Sequence, residues 1–233
     1  MEYTYYIHNS LAADGAAMSL SKLLAADALR KMRKREKLSR REARTERKTY
    51  QDAEFYDHAE QTLPEESKSP PVVVCVGSDL AIGDSLGPIV GSMLQYKTQG
   101  LNAFIYGTLS APVTAKEIPY LREFLRETHT KSQILAVDAA VGEKGDIGLI
   151  KLTDSPLLPG AGANKKLGAV GDIAVMGIVA EKSVSNYGLL NTTRLNLVYT
   201  MSEIISDAVA NVLWERCSAH TAPKISRQTR QTR

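Results

Sequence analysis

From residue 72 onward, short apolar runs alternate with longer stretches whose apolar positions recur at helical spacing. Val72, Val73, Val74, Cys75 and Val76 form a continuous β-branched run of the kind found in a strand buried on both faces. Gly77 ends it. Gly83, Gly87 and Gly91 follow, and Pro88 suits the first turn of a helix over about 87–97, where a missing N–H leaves no bond unmade. The pattern then predicts a strand over 102–107, a helix opened by Thr114 or a neighbour and running through about Thr128, a buried strand over 132–139 and a short strand over 148–152. A long loop over 156–171 follows, then a strand over 172–180 and an amphipathic helix over 191–216. Strands and helices in this rhythm predict a three-layer α/β/α fold with a largely parallel sheet.

Ahead of this core, Ala13, Ala16, Ala17, Leu20, Leu23, Leu24, Ala28 and Met32 repeat at helical spacing. The segment 1–32 therefore reads as a helix packing on the main domain. Helical propensity continues through Glu46, but apolar positions thin to Leu38 and Ala43, the pattern of a solvated extension. Residues 51–70 turn acidic and end in Ser67-Lys68-Ser69-Pro70-Pro71, a linker composition. The expected organisation is a charged insertion or linker over 33–70, an α/β domain over 71–216 and a disordered basic tail over 217–233.

Composition changes this picture in one place. The formal charge of +3 hides an uneven distribution, because residues 30–48 hold eleven Lys or Arg against Glu36, Glu42 and Glu46. Such a run makes weak nucleic-acid contact conceivable, although no aromatic residue interleaves it as a stacking platform. Cys75 and Cys217 form neither a disulfide framework nor a metal cluster, and the four histidines are scattered. No apolar run approaches the roughly 20 residues needed to cross a bilayer. The start of the chain lacks a secretory pattern, so a cytoplasmic setting with no membrane contact is expected.

The candidate chemistry lies in two acids. Asp84 sits in the glycine-rich turn after the first core strand, and Asp138 ends the apolar run Ile134-Leu-Ala-Val-Asp138. Both are expected at the carboxyl ends of strands, where open α/β sheets place their working crevice. Two adjacent carboxylates cannot both ionise cheaply, so such a pair holds a proton and supplies an acid and a base to hydrolyse a peptide bond. An Asp near a helix start also serves as a cap, and one at a strand end also bonds a neighbouring loop. The residues alone leave those roles open. Asp79 is a third nearby acid, with a turn role as its alternative. The loop containing Gly160, Gly162, Asn164 and Lys165 is a candidate for lining the site and binding substrate, its lysines otherwise being solvated. No His or Cys cluster offers metal ligands, and no cofactor is expected.

A set of ordered segments resembles the YyaC family of proposed spore proteases: Gly77-Ser-Asp-Leu-Ala-Ile-Gly-Asp84-Ser-Leu-Gly-Pro88, Tyr106-Gly-Thr-Leu, Ala136-Val-Asp138-Ala-Ala, Pro159-Gly-Ala-Gly, Val170-Gly-Asp-Ile and Asn191-Thr-Thr-Arg194-Leu. The likeness runs from about Val72 to Trp214. More distantly the chain is similar to the germination protease of spore formers and to hydrogenase-maturation endopeptidases. The resemblance implies a hydrogenase-maturation-protease-like α/β fold and a peptidase whose two catalytic aspartates fall on Asp84 and Asp138. It further implies a protein or peptide substrate, such as spore proteins, in the forespore or mother cell. The nickel-binding histidine of the maturation enzymes has no counterpart here, so no metal is carried over. The alternative is a non-enzymatic sporulation or assembly factor that binds a partner protein through the same crevice.

Overall fold

The computed structural model describes residues 1–49, 69–160, 167–182 and 193–218, with backbone alone over 41–49. Its strands are β1 (Glu2–Tyr6), β2 (Val72–Cys75), β3 (Phe104–Tyr106), β4 (Ile134–Gly142), β5 (Leu149–Thr153) and β6 (Ile173–Glu181). The helices are α1 (Ala12–Thr49), α2 (Leu86–Lys97), α3 (Ile118–Thr128) and α4 (Leu195–Ser218). A short 3-10 turn, Ile82–Ser85, leads directly into α2.

The six strands form one sheet in the order β1-β5-β6-β4-β2-β3. β6, β4, β2 and β3 run parallel, while β5 is antiparallel to β6 and β1 is antiparallel to β5. Alternating residues of the buried strands feed two cores. Val73, Cys75, Leu135, Val137, Ile173 and Val175 pack beneath α1, α2 and α4. Val72, Val74, Ala136 and Ala174 face α3 and the segment carrying Leu157 and Val170. The expected three-layer α/β/α architecture with a largely parallel sheet is the observed one. Among the described residues, no helix is long and apolar enough to cross a membrane.

β1 is an element the apolar pattern did not predict. Its five residues alternate between exposed and half-buried and complete the sheet edge beside β5. α1 is a single helix of 38 residues, longer than the expected packed segment. Its first half lies on α4 through Ala16, Leu20, Leu23 and Leu24. The buried Asp27 then accepts hydrogen bonds from Arg30 and from Gln133 at the start of β4. Lys31 closes the contact on Asp172 at 2.8 Å. Residues 33–40 are exposed on every face, so the helix has left the body there. α3 opens at Ile118 rather than Thr114. Thr114 and Glu117 form a hydrogen-bonded turn ahead of Pro119, which sits at the helix start.

Candidate active site

β2 is where the strand order turns back on itself, with β3 on one side and β4 on the other. In α/β sheets a crevice opens at such a point, outside the carboxyl ends of the strands. β2 stops early. Its last ladder contact is the Val76 N–H donating to Val137 O at 2.7 Å, whereas β4 continues beside β6 to Gly142. Asp138 is the first β4 residue beyond that contact. This corrects the expectation that it ends its strand. It lies mid-strand, opposite Met176, because Ala139, Ala140 and Val141 extend the apolar run and pair with β6.

The turn after β2 brings Asp84 to the same place. The Gly77 N–H donates to Val113 O at 3.0 Å, and the Ser78 N–H donates to Asp84 O at 3.1 Å. Gly77 has φ +142, and a Cβ on it would stand 2.1 Å from Asp84 O. A Cβ on Gly87 would stand 1.9 Å from Val76 O, so the first turn of α2 lies directly on the last carbonyl of β2. Both close approaches demand glycine. The cap position of α2 belongs to Ser85, whose hydroxyl donates back to Ile82 O at 2.7 Å. Asp84 itself is half-buried.

Electrostatics join the two acids. Asp138 is 9% exposed, and burial first, then the charge of Asp84, push its carboxyl well above the ordinary carboxylate range. The Ala139 N–H donates to Asp138 Oδ1 at 2.8 Å and offsets only part of that rise. No cation is among the causes acting on Asp138. Asp138 therefore keeps its proton more readily than an ordinary carboxyl.

The remaining candidates are distributed differently. Asp79 is exposed at the outer bend of the turn, beside Leu80, whose N–H donates to Ser78 Oγ. Gly160 has φ 72 and is half-buried, while Gly162, Asn164 and Lys165 lie outside the described residues. The described flanks of that loop meet through the paired backbones of Leu157 and Val170. The Asp172 N–H then donates to Ile134 O at 2.7 Å, at the amino end of β4. Val113 is a residue that sequence reasoning missed. It is a short apolar position in a loop, and nothing in its surroundings signals that its backbone holds Gly77. Cys75 is buried with its thiol pushed up by desolvation, which makes it a core residue rather than a nucleophile. Among the described residues, no three His, Cys, Asp or Glu side chains group to hold a metal ion.

Fold and site together describe an α/β/α protein in which a buried acid, Asp138, feels the charge of Asp84 just beyond the end of β2. Residues 47–208 match the model of the family described as a protein of unknown function, DUF1256, and the chain belongs to that family. It is 39% identical over 150 residues to the uncharacterized protein YyaC of Bacillus subtilis (strain 168), across 64% of this chain and 72% of that one. The motif-based resemblance to YyaC is thus borne out. Among solved structures, a NiFe hydrogenase maturation protease, HycI from Thermococcus kodakarensis KOD1, aligns with a TM-score of 0.41 and 16% identity, covering 62% of this chain and 92% of that chain.

Proposed function

We propose that this protein is a peptidase in which Asp84 and Asp138 act together on one water molecule, with cytoplasmic proteins of a spore-forming cell as substrates. The observation that carries this reading is the raised carboxyl of Asp138, caused by burial and by the charge of Asp84. In the proposed reaction Asp84, as carboxylate, takes a proton from water while the water oxygen bonds to the peptide carbonyl carbon. Asp138, as acid, gives its proton to the carbonyl oxygen. Collapse of the tetrahedral species breaks the C–N bond. The amine leaves with the proton held by Asp84, and the hydroxyl proton returns to Asp138. Bonds and protons balance over the cycle, and both acids end as they began.

The test uses the purified full chain with small spore proteins, the appearance of discrete fragments being followed by mass spectrometry. Asp84→Asn and Asp138→Asn are each expected to lower the rate by about 10²–10⁴-fold with the fold retained. Full activity in either variant removes that residue from the chemistry. Stable retention of the same proteins without fragments would make the crevice a docking site for a partner instead.

A further inference from the structure

We infer that the outer half of α1 is a binding site for the phosphate backbone of duplex nucleic acid. α1 spans 38 residues, a rod of about 57 Å at 1.5 Å per residue. Lys31 pairs with Asp172 of the body, and residues 33–40 are exposed.

Residues 30–40 of this projecting rod hold seven Lys or Arg against the single acid Glu36. With successive residues turning by about 100°, Arg30, Arg33, Lys34, Lys37 and Arg40 fall within one arc of about 120°. Lys31, Arg35 and Glu36 fall outside that arc. A helix that needed charge only for solubility would intersperse both signs around its circumference. Within the body, Asp27 and Asp154 engage Arg30, and Asp27 and Asp172 engage Lys31. Arg33, Lys34, Lys37 and Arg40 take part in none of the described ion pairs. The family match begins at residue 47, so this rod precedes nearly all of what the chain shares with its family.

Charge complementarity selects the occupant. A single-signed stripe on one helix matches the regular phosphates of a duplex, whose major groove admits an α-helix. An anionic membrane is the poorer match, because a membrane-surface helix needs an apolar face and Leu38 is the one large aliphatic residue over 33–48. Residues 30–48 contain no aromatic side chain to stack on bases, so the binding is to backbone and independent of base sequence.

Fluorescence anisotropy of a labelled mixed-sequence DNA duplex, titrated with the full chain, tests this. Four phosphate contacts give a slope of log affinity against log salt of about −3 to −4. Replacing Arg33, Lys34, Lys37 and Arg40 together by Glu should weaken binding by more than about tenfold at low salt. The same four positions changed to Gln give a milder set should the first variant lose helicity by circular dichroism. Affinity unchanged in a folded variant overturns the proposal, as does absence of binding at low salt. Binding to phosphatidylserine vesicles with none to duplex overturns it too. None of these outcomes depends on whether Asp84 and Asp138 cleave peptides.

Discussion

Asp27, on α1 against the start of β4, and Asp138, in the middle of β4, are both buried aspartates, 2% and 9% exposed, yet their carboxyls are driven in opposite directions. Burial alone would raise Asp27. Hydrogen bonds from Gln133 and Arg30 and the charge of Lys31 outweigh it and hold this carboxyl below the ordinary range. Asp138 meets one backbone N–H and a second acid, so burial and repulsion add. Desolvation is common to both. The partners decide whether a buried acid is a fastening or a proton store.

The comparison breaks most severely at Asp27. Asp27→Ala takes from Arg30, Lys31 and the Gln133 amide their shared acceptor, while Arg30 keeps Asp154 and Lys31 keeps Asp172, so the loss should be about 1–3 kcal/mol. Urea unfolding is the measurement, and the loss should appear in the midpoint. Asp138→Asn should move the other way. It removes the expense of a buried acid while keeping the acceptor oxygen for Ala139, so stability near neutral pH should rise by about 0.5–2 kcal/mol as the proposed activity disappears.

The pH dependence of stability sharpens the contrast. The carboxyl of Asp27 is lowered, so its contribution is present above the ordinary value of 3.8 and is lost as the pH falls below it. The carboxyl of Asp138 is raised, so its contribution is complete below 3.8 and is lost as the pH rises from there toward the folded-state value. Thermal melts across this range should show Asp138→Asn flattening the decline on the alkaline side, and Asp27→Asn flattening the decline in acid. The smallest expected effect belongs to Arg30→Ala. That side chain is 54% exposed, and water screens its pairing with Asp27 to at most about 1 kcal/mol.

Sequence pattern reached one of these acids and not the other. Asp84 and Asp138 stand out because each acid interrupts an apolar or glycine-rich stretch, a signal that survives in one dimension. Asp27 lies among helical alanines and leucines, and its partner Gln133 is 106 positions away, so only folding brings them together. Strand bounds were legible to within a residue where apolar β-branched runs were long, as in β2 and β6. They were less so in β4, where Ala139 and Ala140 give no hint that pairing with β6 continues. β1 escaped because an edge strand of exposed and half-buried residues carries too weak a periodicity. The start of α3 was misplaced because the Thr114–Glu117 turn mimics the opening of a helix.

The mid-strand position of Asp138 has a mechanical corollary. A side chain rooted in the interior of a ladder inherits the ladder's stiffness and cannot be withdrawn without unzipping β4 from β6. Asp84 rides on a single 3-10 turn anchored at Gly77, so its mounting is the more deformable of the two. Amide exchange should show the asymmetry as slow protons along β4 and faster ones from Ser78 to Asp84.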